Sequence, residues 1–174
     1  MKVLETERLT LRWLEPRDAS FILKLVNEPA WKLYIGDFGV RTLEDAGKYI
    51  EKGPVSMYAR VGFGLYLVEL KATGVPVGIC GLIKRASLEE VDVGYALLEE
   101  FRGNGYAFET ASAVLEYGRR AISLSRMVAI SSKGNHPSAR LLGKLGFHFE
   151  RLIRLKADAD EVELYADGPW PAPT

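Results

Sequence analysis

The chain has 174 residues, 23 lysines and arginines balanced by 23 aspartates and glutamates, and a hydrophobic content of 48%. That length suits one domain with a real core, and zero formal charge gives no global field for nucleic acid or an anionic membrane. A lone cysteine, Cys80, permits no internal disulfide, and with only His136 and His148 beside it no metal site is expected.

In chain order, Met1–Glu7 has no apolar core of signal-peptide type and no run approaches a membrane span, so a soluble cytoplasmic protein is expected. Leu9, Leu11 and Trp13 alternate with polar residues and mark a first strand. Pro16-Arg17-Asp18 opens a helix carrying Phe21, Ile22, Leu25 and Val26, which stops before Pro29. Residues 30–41 read as a loop rich in aromatic surface, with Trp31, Tyr34 and Phe38 among glycines. Thr42-Leu43-Glu44-Asp45 is a helix start of the capping-box kind, and Gly53-Pro54 is the expected stop.

Phe63–Leu70 and Val77–Lys84 read as the strands of a hairpin. Val91, Val93, Tyr95 and Leu97 alternate along a third strand, and from Gly105 the apolar period becomes helical to about Ile122. Met127–Ser131 is a short apolar strand, parallel to its predecessor because a helix connects them. Asn135-His136-Pro137 starts a helix that Gly146 ends, and Phe147–Leu155 and Val162–Ala166 are the last strands. Residues 1–168 thus form one mixed α/β domain, followed by a Pro-rich tail, 169–174, expected to be flexible.

The strand, turn and helix over residues 91–108 make an anion-binding device, because free N–H groups converge at a helix start and the helix dipole favours negative charge. Arg102-Gly103-Asn104-Gly105-Tyr106-Ala107 is neither a dinucleotide fingerprint, whose third glycine is replaced by Phe108, nor a P-loop, which needs Gly-Lys-Ser/Thr. On spacing alone, a pyrophosphate cradle and a plain tight turn remain equal alternatives.

Arg102-x-x-Gly105-x-Ala107 after Gly94-Tyr95-Ala96-Leu97 resembles the acetyl-CoA signature of the GCN5-related N-acetyltransferases (GNAT). Asn135-x-x-Ser138 and Leu145-Gly146-Phe147 resemble that family's second signature, and Glu7–Arg12 resembles the opening of its ribosomal-protein (RimJ/RimL-type) branch. The resemblance implies a single GNAT-like domain: a mostly antiparallel twisted sheet of about seven strands with a splayed parallel pair and helices on both faces. It implies acetyl-CoA as co-substrate, with no metal, and an amine acceptor, either a peptide N-terminus or a small amine such as a polyamine, amino acid derivative or antibiotic. It suggests no nucleic acid or membrane partner, and a monomer or homodimer. A catalytically silent acyl-CoA sensor is the rival from another class.

Carried over residue by residue, the resemblance puts the CoA pyrophosphate on the backbone of Gly103, Asn104, Gly105, Tyr106 and Ala107, with charge from Arg102 unless Glu99 or Glu100 holds it. Leu97 and Leu98 would pair with the pantetheine arm and polarise the thioester, and Asn135 would touch the same arm while capping its helix. Asp92 is the candidate base, with Glu90 in reserve. Ser138 is the candidate acid, because Leu142 occupies the place where many members carry a tyrosine. Trp31 and Tyr34, with Phe38, either wall the acceptor pocket or pack. Glu89, Glu90, Asp92, Glu99 and Glu100 together suggest an acidic lip for a cationic acceptor.

Overall fold

The computed structural model describes residues 1–168; the tail at 169–174 lies outside them. Eight strands form one sheet: β1 (Lys2–Glu5), β2 (Leu9–Trp13), β3 (Leu65–Leu70), β4 (Pro76–Ile83), β5 (Val91–Leu97), β6 (Met127–Ser132), β7 (His148–Arg154) and β8 (Glu161–Ala166). Their order is β1-β2-β3-β4-β5-β6-β8-β7. The strand beyond the expected seven is β1, which hydrogen-bonds back along β2. Its four residues are too few to show a period of two against polar flanks.

Only β5 and β6 are parallel, and they pair only at Val91↔Met127 and Asp92↔Val128. Beyond Asp92 each strand follows its other neighbour. β5 stays in register with β4 from Ile83↔Asp92 to Gly78↔Leu97, and β6 with β8 from Val128↔Ala166 to Ser132↔Val162. The sheet therefore opens into a V whose inner edges keep unpaired backbone groups.

Among the described residues the six α-helices are α1 (Ala19–Val26), α2 (Pro29–Tyr34), α3 (Leu43–Ile50), α4 (Ser56–Val61), α5 (Tyr106–Arg120) and α6 (His136–Lys144). Ala111, Val114 and Leu115 of α5 and Leu142 of α6 pack with Val91, Val93 and Leu97 on one face of the sheet. Ile22, Leu25, Val26, Trp31, Ala46 and Ile50 of α1–α3 pack with Ile79 and Leu98 on the other. Alternation along β5 thus decides which face each of its side chains serves.

Two expectations for the α1–α4 region are corrected. Residues 29–34 are helical, because Pro29 takes the first helical position, where its missing N–H costs nothing. Gly53-Pro54 does not end the second helical stretch. α3 begins with the expected capping box, Thr42 accepting from the Asp45 N–H, and the chain then widens into a π-turn over Glu51–Val55 that absorbs Pro54. It runs on as α4 to Gly62. α5 ends at Arg120, two residues short of the expected Ile122.

Candidate active site

A cavity of about 1370 Å³ passes through the V between β5 and β6. Its wall on the α5–α6 side includes Gly103, Gly105, Tyr106, Ala107, Asn135 and Ser138; on the α1–α3 side it includes Trp31, Tyr34, Phe38, Tyr49, Met57 and Arg85. Asp92, Tyr95 and Leu97 line it from β5.

The turn before α5 is an open cradle. Gly105 caps the helix in the left-handed conformation, φ 80°, and no side chain caps the N–H groups that follow. Gly103 has φ 77°, and a Cβ there would meet nothing within 4 Å. Both positions need glycine for the backbone angle, and the bare helix start suits an anionic group. Arg8 packs over the Tyr106 ring, 4.5 Å from its centroid, and pairs with Glu109 at 2.7 Å, bringing a second guanidinium to this turn. The Asn104 amide is used locally, donating to the Phe101 and Arg102 carbonyls.

Arg102 is held neither by Glu99 nor by Glu100. Its guanidinium donates to the Leu97 carbonyl and pairs with Glu28 at 2.9 Å, and Glu28 also accepts the Glu99 N–H. Glu28 therefore ties the start of α2 to the turn beneath the cradle. The Leu98 N–H donates to Val77 on β4, so it is turned away from the open edge of β5. Alternation then directs the backbone groups of Tyr95 and Leu97 into the V. This corrects the expectation for Leu98, whose side chain is buried among α1–α3.

Asp92 is 1% exposed, and its Oδ2 accepts from Arg85 Nε at 2.7 Å. Its Oδ1 is buried without a hydrogen bond. Burial pushes the Asp92 carboxyl up to about 6, against the opposing pull of the Arg85 charge and smaller help from the Ile130 amide. Glu90 pairs with Arg126 at 3.2 Å and does not line the cavity. Glu89, Glu99 and Glu100 likewise do not line it, and the acidic residues that do are Asp92 and Glu28.

Three residues along β5, on the opposite face, the Tyr95 hydroxyl stands 3.1 Å from Ser138 Oγ. Burial raises the Tyr95 phenol to about 12, so it stays protonated. Ser138 sits in the first turn of α6, where its N–H donates to the Asn135 cap at 3.3 Å, leaving its hydroxyl free for Tyr95 and the cavity. The sequence reading missed Tyr95 in this role because alternation sorts a tyrosine to a face without revealing what its hydroxyl reaches. Arg85 could have been found: the β4–β5 hairpin sets Ile83 opposite Asp92, placing Arg85 just past that pair. Nothing local distinguishes Glu28.

Trp31 is 4% exposed with its Nε1 unpartnered. Phe38 meets it edge-on at 6.0 Å and stacks on Tyr49 at 6.1 Å, so the three rings form one aromatic wall. Tyr34 joins the same side, and its carbonyl accepts from Ser132 of β6. Cys80 is fully buried and His148 exposed, neither in the cavity wall. Among the described residues no group of three His, Cys, Asp or Glu could hold a metal ion, and no helix is long and apolar enough to cross a membrane.

Residues 8–148 match the family described as Acetyltransferase (GNAT) domain. The uncharacterized N-acetyltransferase YoaA of Bacillus subtilis (strain 168) is 31% identical over 153 residues, covering 87% of this chain and 86% of its own. The crystal structure of an acetyltransferase from Agrobacterium tumefaciens superposes with a TM-score of 0.81 at 25% identity, over 97% of this chain and 95% of that one. RimL, a ribosomal L7/L12 alpha-N-protein acetyltransferase in complex with coenzyme A, shares the fold with a TM-score of 0.70 at 17% identity, over 95% and 97% of the two chains.

Proposed function

The chain belongs to the GNAT acetyltransferase family, and on that premise we propose that it transfers the acetyl group of acetyl-CoA directly to a primary amine entering from the aromatic end of the cavity. The observation that carries this reading is the passage through the V, with Asp92 on one face of β5 and the Tyr95–Ser138 pair on the other. A thioester laid across the open edge of β5 would be reached by the amine from the Asp92 side, while its sulfur would lie toward Ser138.

The cradle fits the pyrophosphate, with N–H groups of Gly105, Tyr106 and Ala107 as donors and Arg102 and Arg8 as nearby charge. Asp92, ionised above about pH 6, takes a proton from the ammonium, directly or through a water, so that nitrogen has a lone pair to offer. The Leu97 N–H, turned into the V, can donate to the developing oxyanion. The C–N bond forms as the C–S bond breaks; the nitrogen's remaining surplus proton leaves to solvent, and the departing thiolate takes one from Ser138, which Tyr95 holds in place and solvent re-protonates.

The acceptor is a small amine or the first residue of a peptide whose side chain suits an apolar, aromatic chamber. The test is amine-dependent release of free thiol from acetyl-CoA. Release that rises with added amine and yields the acetylated amine supports the reading; tight CoA binding with no release for any amine would establish a silent sensor instead.

A further inference from the structure

The Arg85–Asp92 pair is incompletely used by the protein. Arg85 spends its Nε on Asp92 Oδ2, while its two Nη groups have no hydrogen-bond partner among the described residues. The side chain is 33% exposed, lines the cavity beside Trp31, Phe38, Tyr49 and Met57, and its charge acts on the buried Tyr49 hydroxyl. On the other half of the pair, Asp92 Oδ1 is unpartnered, as is Trp31 Nε1 in the same wall. Polar groups facing an apolar chamber are almost always satisfied, so the outer edge of the Arg85 guanidinium, with the buried Asp92 carboxyl directly behind it, is the place where a ligand would supply the partner.

That complement is specific. The outer edge of a guanidinium presents two parallel N–H donors, which match the two oxygens of a carboxylate far better than a single amide carbonyl. The Asp92 carboxylate beside that edge favours a cation close by, and an ammonium supplies one. The two halves of the pair are in contact at 2.7 Å, so the anion and the ammonium they would receive must sit on neighbouring atoms of one molecule. The surrounding rings ask for an apolar substituent.

We infer that the acceptor is a free α-amino acid, or a close analogue, with an apolar or aromatic side chain. Its carboxylate lies on the Nη groups of Arg85, its amine is directed to Asp92, and its side chain fills the space beside Trp31, Phe38 and Tyr49. This rests on the acetyltransferase reading above and narrows it. A peptide N-terminus replaces the carboxylate by a neutral amide and leaves the outer edge of Arg85 in an apolar chamber without its anion, so it is the poorer acceptor. The reaction converts the amino acid and acetyl-CoA into the N-acetylamino acid and free CoA.

The test compares kcat/KM for L-phenylalanine and L-leucine with their amides, with phenethylamine and with a Phe-initiated peptide, at fixed saturating acetyl-CoA. An amide's α-amine is the less basic one and is more fully deprotonated at neutral pH, so any preference for the free acid comes from recognition of the carboxylate. The expected result is at least about tenfold higher kcat/KM for the acids, as loss of one charge-assisted contact implies. In Arg85→Gln that acid-to-amide ratio falls toward one, and Arg85→Lys keeps part of it. The ratio is the readout because Arg85 also touches Asp92, so both rates fall in these variants. A ratio near one in the wild type, or one that Arg85→Gln leaves unchanged, overturns the inference. Turnover of the amides, phenethylamine or peptide at equal or higher efficiency removes it while sparing the acetyltransferase reading. No turnover of any of these amines, with CoA bound, overturns the inference, and only the absence of release with the wider range of amines named above would also remove the acetyltransferase reading.

Discussion

The Tyr95 hydroxyl and Ser138 Oγ meet at 3.1 Å across the gap between β5 and α6, coupling the strand to the first turn of the helix. If the two act as one proton donor, their removal is not additive. Ser138→Ala and Tyr95→Phe should each lower kcat roughly tenfold, and the double variant hardly more than either alone. The effect stays modest because a thiolate with a pKa of about 8.5 needs little help in leaving. A double-mutant cycle of single-turnover rates checks this; fully additive losses would mean that the two hydroxyls act separately.

Gly105→Val should reduce CoA affinity at least about tenfold while the fold persists, because a β-branched residue in the left-handed region costs on the order of 1–2 kcal/mol and reshapes the turn. Its Cβ would also lie 3.3 Å from Arg8 Nη2. Calorimetric titration with CoA, beside a far-ultraviolet circular dichroism spectrum, separates the two effects.

Glu28→Gln should weaken CoA binding several-fold without removing it. Glu28 joins the Glu99 N–H and the Arg102 guanidinium, and its loss frees the turn while leaving the cradle's own N–H groups in place. Arg102 would still reach the Leu97 carbonyl. Wild-type affinity in this variant would show that the bridge from α2 to the turn has no bearing on the cofactor.

A purely structural prediction concerns Asp18. It is 6% exposed, takes both Nη groups of Arg12 at 2.8 and 2.9 Å, and accepts the Glu15 N–H at 2.8 Å. Asp18→Ala leaves the 14%-exposed Arg12 with only Glu69 for its charge, and should cost about 3 kcal/mol in urea unfolding with little change in CoA affinity.

The turn before α5 and the start of α6 were legible in the sequence because they are local. Arg102 to Ala107 and Asn135 to Ser138 are short runs in which a glycine angle and a helix cap carry the geometry. The order of strands near the site was legible too, since a helix between β5 and β6 forces them parallel. What stayed hidden depends on contacts across the sheet. Arg85 reaches Asp92 over 7 positions, Tyr95 reaches Ser138 over 43 and Glu28 reaches Arg102 over 74. The helix at 29–34 is hidden because the glycines that follow outweigh its starting proline, and Gly53-Pro54 looks like a stop because a π-turn has no distinct local signal.

If Asp92, on one face of β5, deprotonates the amine whose thioester partner is served from the other, its titration should govern the rate. Burial holds its carboxyl above the ordinary value, so the folded chain binds this proton more tightly than the unfolded one, and stability falls as pH rises from the usual carboxylate range through about 6. Catalysis gains over the same window, because only the ionised form accepts a proton. The direct measurement is the pH profile of kcat/KM for acetyl transfer in the wild type and in Asp92→Asn. The expected result is a wild-type rise through about pH 6 that is missing in the variant, whose rate is lower by roughly a hundredfold. An Asp92→Asn enzyme with wild-type rate and the same low-pH limb would contradict it.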